Sequence, residues 1–376
     1  MIDFSRSDDR IFSRWWWIID RVTLFSFLIM IIFGILLAMA ATPMIANRIG
    51  IETSYFLRRH LLYSIPTLPI IFFVSLLDQK NIKRLSLVLL IGSLFLLLAS
   101  VFFGVEIKGG RRWISIFGFS LQPSELSKPA FAIVTAWMFA EQREHPEFKG
   151  KFIASIFLLI LDLLLIMQPD IGMIIIVTSV WFGQLFLNGL PVIFMMAAIM
   201  AGVGALAMAY LFLPHVTARI DRFLDPEIGD HYQINKSLEA FANGGLLGVG
   251  PGEGTIKRYV PDAHADFVFA VLGEEFGFFV CTFVIILIAF IVIYGMLKSL
   301  KENNLFNLLA SVGLLAQFGL QSFVNIASTL HMIPTKGMTL PFMSYGGSSM
   351  LATALMVGMI LALQKRRMDD VYRHHI

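Results

Sequence analysis

Residues 259–267, YVPDAHADF, place Asp262, His264 and Asp266 within five positions, immediately before a long apolar run. Two carboxylates and an imidazole at i, i+2 and i+4 share one face of an extended segment, where they can hold a metal ion. No fourth ligand is close, so the metal set is incomplete in the sequence. Asp266 alone can cap the helix that follows, and the local pattern favours that reading. A third possibility is chemical: a carboxylate partly desolvated beside Phe267 can be tuned toward general-base duty. The positive end of the helix opposes that tuning. The local residues leave the three readings open.

Four further clusters carry polar chemistry. In EIKGGRRWISIFGFSLQPSELSK, 106–128, Arg111 and Arg112 offer guanidinium forks for a phosphate, and Trp113 can lie in the interface or stack on a sugar. Glu125 and Lys128 are spaced i, i+3, as an ion pair on a helix would be. QPDIG, 168–172, puts Asp170 where it can cap a helix, and Asp162 lies in the middle of LLILDLLLIM, a depth at which a carboxylate needs a partner or a polar cavity. RIDRFLDPEIGDHYQ, 219–233, sets Arg219 and Arg222 one helical turn apart. MIPTKGMTLPFMSYGGSSM, 332–350, has Pro334, Pro341, Gly337, Gly346 and Gly347 to break a helix at membrane depth, which lipid tolerates only against protein or a wet cavity. A crevice is therefore expected there. The glycines at 244, 245, 248, 250, 252 and 254 allow a close backbone approach or a phosphate cradle, although no Gly-Lys-Ser/Thr follows as in a P-loop.

The elements that must position these groups are membrane helices. Hydrophobic residues make up 57% of the 376 and charged ones 15%, against roughly a quarter charged in soluble domains. The expected fold is an all-α integral membrane protein: one transmembrane domain over 1–376, a bundle of about ten helices with a large outer loop, 214–265, between the seventh and eighth. The spans are predicted at 19–42, 61–77, 85–103, 126–141, 152–167, 171–187, 191–213, 266–297, 305–325 and 346–364. Trp15, Trp16 and Trp17 form an aromatic anchor before the first. An even number puts both termini on one side. With the termini inside, Lys and Arg divide 16 inside and 13 outside, together the 29 of the chain. The bias is small because basic residues gather in the outer stretches 104–128 and 214–265, where an anion can meet them. A net charge of +3 does not point to nucleic acid, and a single cysteine, Cys281, excludes an intrachain disulfide.

Taken in order, RRWI, QPSE, QPDIG, RFLDP with YQI, GGLLGVG, HADFVFAVLGEEFG and PTKGMTLPFMSYGGSS resemble the SEDS family of FtsW and RodA over nearly the whole chain. YVPDAHADF and PTKGMTLPF look more like the division branch than the elongation branch. The resemblance implies a ten-helix peptidoglycan glycosyltransferase. Such an enzyme transfers lipid-linked glycan onto the GlcNAc 4-hydroxyl of lipid II, with inversion and release of undecaprenyl diphosphate.

It also implies roles. The essential acid of the family's His-Thr-Asp-Phe motif falls on Asp266, with His264 as a neighbour that positions it and Asp262 in a solvated turn. The Arg-Trp motif falls on Arg112 and Trp113, and Gln-Pro-Ser-Glu on Gln122 to Glu125 with Lys128 following. Diphosphate or substrate contacts are expected from Arg111, Arg112, Trp113, Glu125, Lys128, Arg219, Arg222, His264 and Ser344. A divalent cation, magnesium or manganese, can share the diphosphate charge, with no protein metal site implied. Implied partners are lipid II, a class B penicillin-binding protein acting as septal transpeptidase, and other divisome membrane proteins. The implied place is the bacterial inner membrane at the septum, termini cytoplasmic and active site periplasmic. Two departures stand out: Ala265 replaces a common Thr, and His331 stands where Gly, Thr or Arg is usual. The competing classes are a lipid II flippase and an elongation-type polymerase.

Overall fold

Helix α1 (Ile11–Ile18) carries the tryptophan cluster and leads into α2 (Arg21–Ile49), the first of the long apolar helices. The computed structural model describes residues 11–50, 52, 54–107, 110–116, 119–225, 232–334 and 337–365. After α2 come α3 (Tyr55–Leu76) and α4 (Gln79–Phe103), then a three-stranded antiparallel sheet of β1 (Val105–Ile107), β2 (Gly110–Ile116) and β3 (Phe119–Leu121). The chain continues through α5 (Pro123–Glu144), α6 (Gly150–Met167), α7 (Ile171–Leu187) and α8 (Val192–Phe212). Two outer helices follow, α9 (Pro214–Leu224) and α10 (Tyr232–Gly244), with a short 3₁₀ turn at Ile256–Arg258. The last three are α11 (Val268–Ser299), α12 (Leu305–Thr329) and α13 (Gly347–Leu363).

Among the described residues, seven helices are long and apolar enough to cross a bilayer: α2, α3, α4, α6, α8, α11 and α12. Helices α7 and α13 are apolar but shorter, at 17 residues each. Helix α5 has the length, 22 residues, but carries Glu125 and Lys128 and is buried along most of its surface. These ten helices fall on the ten predicted spans, within a few residues at most ends. The sheet is the departure from an all-helical chain. Its strands alternate side chains across the pleat, a period that the apolar runs on either side conceal in the sequence.

One end of the bundle gathers both described termini. Trp15 Nε1 donates to Ser75 Oγ at 2.7 Å, Lys365 Nζ donates to the Leu77 carbonyl at 2.8 Å, and Asp20 pairs with Lys298 at 2.8 Å. Arg21 lies over the rings of Trp16 and Trp17, 5.1 and 4.6 Å from their centroids. Such an aromatic and basic collar suits a membrane–water interface. The sheet, α9, α10 and the segments 245–267, 330–334 and 337–346 lie at the other end.

Helix α11 is broken near its outer end. Gly277 has φ +78° and ψ −175°, far from helical values. What it accommodates is the glycine-rich loop: a Cβ on Gly277 would stand 2.3 Å from the amide nitrogen of Gly248. The opened helix trades bonds with that loop. Val249 and Gly250 N–H donate to the carbonyls of Glu274 and Glu275, both at 3.0 Å, and Phe278 N–H donates to Gly245 O at 3.0 Å. The loop amides thus serve the break in α11, and the glycine pattern reflects backbone docking rather than a phosphate cradle.

Candidate active site

The turn that carries Asp266 is built before α11 begins. Ala265 N–H and Phe267 N–H both reach the Asp262 carbonyl, at 2.9 and 3.3 Å, and Asp262 takes φ +53°. This reverse turn removes the extended geometry in which Asp262, His264 and Asp266 would share a face. Among the described residues no three His, Cys, Asp or Glu side chains come together as a ligand set. The N-cap position of α11 is Phe267, whose own side chain makes no capping bond. The turn therefore starts the helix one residue later than the expectation that placed Asp266 at its N-cap position.

Opposite this turn runs the segment between α12 and α13, and side chains stitch the two together. Ser344 Oγ donates to the Ala265 carbonyl at 2.6 Å and accepts the Leu340 N–H at 2.7 Å, while Tyr345 N–H reaches the His264 carbonyl at 2.8 Å. Asn325 Nδ2, from α12, donates to the Asp266 carbonyl at 2.9 Å and to Met338 O at 2.6 Å. The approach is close enough that a Cβ on Gly337 would lie 3.1 Å from Asp266 Oδ2. His264 packs its ring 4.7 Å from that of Phe56 and 5.4 Å from that of Tyr345. Burial pushes the Tyr345 phenol above its ordinary pKa, against a hydrogen bond from Arg59 that lowers it. Arg59, on α3, thereby joins the site, a cation that the motifs did not single out.

Glu125 and Lys128 pair at 3.0 Å with almost no exposure, as their spacing predicted. Lys128 Nζ also donates to Gln321 Oε1 at 2.6 Å, and Gln321 passes the chain of bonds to Thr339, whose hydroxyl lies 2.6 Å from Ser349 Oγ. A full charge at that depth is kept by partners that satisfy it on several sides.

The two arginines part company. In β2 neighbouring side chains point to opposite faces. Arg111 is exposed and faces Glu106 at 3.5 Å. Arg112 is half-buried and donates to the carbonyls of Gln168 and Pro169, at 2.9 and 2.7 Å, with Asp170 Oδ2 3.7 Å away. So Arg112 ties the sheet to the QPDIG loop. Asp170 holds the N-cap position of α7 without a side-chain capping bond and spends its carboxylate on Arg112. Trp113 is half-buried on the same strand. Arg219 and Arg222 fall on α9, and their side chains lie outside the described residues. On α6, Asp162 Oδ2 accepts from Thr178 Oγ1 of α7 at 3.0 Å, a helix-to-helix contact.

Sequence reasoning missed one cluster altogether. Glu274, Glu275 and Lys257 are fully buried. Glu274 accepts from Asn243 Nδ2, Ile256 N–H and Lys257 N–H, at 2.9, 2.7 and 2.7 Å. Lys257 Nζ pairs with Glu275 and donates to the Ala40 carbonyl at 2.9 Å. The signal available was GEEFG, two adjacent acids in an apolar run that demand partners.

The family described as cell cycle protein, grouping FtsW, RodA and SpoVE, matches residues 20–369. The chain belongs to that family. It is 39% identical over 365 residues to a probable peptidoglycan glycosyltransferase FtsW of Caulobacter vibrioides, covering 97% of this chain and 94% of the relative. The counterpart of Tolumonas auensis, with the same description, is 36% identical, at 89% and 90% coverage. Among solved structures, RodA of Thermus thermophilus superposes with a TM-score of 0.68 at 25% identity, over 92% of this chain and 96% of that one. A chain of a peptidoglycan synthase complex, studied for the coordination of polymerization and crosslinking, reaches 0.77 at 24% identity, over 92% and 97%, and shows the shared fold. FtsW-type relatives and a RodA structure thus agree on a multi-pass membrane protein of the SEDS family. At the family's His-Thr-Asp-Phe site Ala265 contributes backbone only, and at His331 φ is +57°, the left-handed region in which the more usual glycine is at ease.

Proposed function

We propose that this chain is an FtsW-type peptidoglycan glycosyltransferase that extends glycan strands from lipid II, with Asp266 as general base. The observation that carries the reading is the gathering of Asp266, His264, Ser344 and the Lys128 network around one segment, 337–346, at one end of the bundle. Asp266 accepts the proton of the GlcNAc 4-hydroxyl as its oxygen attacks the anomeric carbon of the lipid-linked MurNAc. The bond to the diphosphate breaks on the opposite face, the α-linkage becomes β-1,4, and undecaprenyl diphosphate leaves with the electron pair. The developing oxocarbenium and diphosphate charges need compensation. Arg111, with Arg219 and Arg222, supplies positive charge to the diphosphate. Lys128 supplies fixed positive potential from beneath, while Arg112 and Glu125 hold the frame and Trp113 offers a face to a sugar. A magnesium or manganese ion would share the charge of the diphosphate. The apolar helix faces accommodate the polyprenyl tails.

The same reading assigns the inner membrane, cytoplasmic termini and a periplasmic site at the septum, with a class B penicillin-binding protein and other divisome membrane proteins as partners. The elongation role of RodA is the alternative within the family, and septal fluorescence of a tagged chain decides between them. A lipid II transporter is a different class. Pumps place charges along a route through the bilayer, whereas Asp162 is engaged by Thr178 of the neighbouring helix here.

The test is fluorescent lipid II with the purified chain and its class B partner. Wild type is expected to make glycan and Asp266→Ala at least ~100-fold less, the scale of general-base catalysis. Equal polymer from both rejects the assignment of the base. Lipid II flipping in proteoliposomes that survives Asp266→Ala, without polymer from wild type, establishes the transporter.

A further inference from the structure

Helix α12 presents two amides, Gln321 and Asn325, on one side and one turn apart. Both are buried, at 4% and 0% exposure. Gln321 Oε1 accepts from Lys128 Nζ at 2.6 Å, and its Nε2 donates to Thr339 O at 3.0 Å and Thr339 Oγ1 at 3.3 Å. Asn325 Nδ2 donates to Asp266 O at 2.9 Å and to Met338 O at 2.6 Å. These partners fix each amide's orientation. A flipped Gln321 would aim its NH₂ at an ammonium, and a flipped Asn325 would set an oxygen against two carbonyls.

We propose that Gln321 and Asn325 are positioning residues, a two-rung clamp that sets the Asp266 turn and the Lys128 ammonium at a fixed spacing across the segment 338–339. The proposal rests on the glycosyltransferase reading of this site. The physical need is clear from the backbone. Residues 262–267 and 337–346 are turns and irregular chain, so the carbonyls of Asp266, Met338 and Thr339 have no ladder to enter. Buried carbonyls at this depth must find donors, and side-chain amides supply them. Ser344 adds a third link between the same segments, from the Ala265 carbonyl to the Leu340 N–H. One rung holds the base segment and the other holds the cation, and both grip adjacent carbonyls of one irregular segment. A shift of α12 would therefore move base and cation together, keeping their separation. Neither amide needs to touch the sugars, so its loss should slow the chemical step and spare lipid II binding.

A natural control sits at the opposite end of the bundle. Gln364 is equally buried, and its Nε2 donates to Gly295 O at 3.1 Å and Ser299 Oγ at 2.9 Å. It has the same chemistry and no relation to Asp266. The experiment measures kcat, KM for fluorescent lipid II and melting temperature for Asn325→Ala, Gln321→Ala and Gln364→Ala, each in complex with the class B partner. Misplacing a reacting group by about 1 Å costs on the order of 100-fold in rate. The expected result is a kcat lowered ~10- to 100-fold in Asn325→Ala and Gln321→Ala, with KM within about twofold of wild type. Gln364→Ala should lose melting temperature and keep its kcat. The double variant should fall short of the product of the single losses, because both rungs serve one segment. Where an alanine variant does not fold, Asn325→Leu and Gln321→Met keep nearly the same volume, lose the donors and carry the same expectation. Wild-type kcat in folded Asn325 and Gln321 variants, or an equal drop in Gln364→Ala, overturns the clamp. If Asp266→Ala is itself as active as wild type, the reading of the base fails instead.

Discussion

Helices α5 and α8 are nearly equal in length, 22 and 21 residues, and opposite in surroundings. Sixteen residues of α5 are buried, among them Glu125, Lys128 and Thr135, whereas none of α8 is. The more polar helix is the central one. In a soluble protein the reverse would hold, but lipid removes the hydrophobic reward for hiding leucine and raises the cost of exposing a charge. Polar groups therefore go to the middle, where Thr135 Oγ1 meets Gln184 Oε1 at 2.6 Å and Gln184 Nε2 reaches Ala132 O and Leu309 O at 2.8 and 3.1 Å. The interior of this bundle is a hydrogen-bonded frame, and the candidate site is the outer end of that frame.

The contrast can be broken from either side. The largest effect is expected from Lys128→Met, which strands Glu125 as an unpaired buried acid. Such losses cost about 3–5 kcal/mol, read as a fall in melting temperature in detergent. Adding Glu125→Gln should recover most of that stability and none of the polymerisation, which separates folding from chemistry. On α8 the sign reverses: Met200→Lys places a charge against lipid and should cost about 2.5–3.5 kcal/mol of insertion free energy, measured by glycosylation mapping. A smaller effect is expected from Gly202→Ala and Gly204→Ala. A Cβ at either meets nothing within 4 Å, so helix propensity alone should add about 0.5–1 kcal/mol each, with activity unchanged. The smallest concerns Asp20 at the far end. Burial alone would raise its pKa, but Lys298, Thr23 and the Val22 N–H outweigh burial and hold it below its ordinary value of 3.8. A depressed acid contributes stability that is present above pH 3.8 and lost as the pH falls through the lower, folded value. Asp20→Asn should abolish that part of the acid dependence of melting.

The spans were legible because an apolar run of bilayer length is rarely needed for anything but crossing one. Helix α5 was legible despite its polarity because Glu125 and Lys128 sit at helical spacing after a proline suited to a first turn. The outer turns were not. Whether Asp266 caps α11 depends on Asp262 adopting φ +53°, a choice made by distant partners such as Ser344 and Asn325. The glycine loop announced a close approach, but its counterpart, the break at Gly277, lies 29 residues beyond Gly248 and shows no local sign. Arg111 and Arg112 read as one clamp until the strand between β1 and β3 separated them. Pairings across long sequence separation accompany the first two, and the third turns on strand pairing within 105–121 that the apolar pattern does not show.

The break at Gly277 also sets a depth. As one rod, the 32 residues of α11 would measure about 48 Å, well beyond a hydrocarbon core of about 30 Å. The 22 residues from Phe278 to Ser299 measure about 33 Å and match that core by themselves. The nine residues from Val268 to Phe276 then stand as a pedestal, up to about 14 Å tall. Asp266, two residues before Val268, stands at the outer end of that pedestal, beyond the stretch that matches the hydrocarbon core.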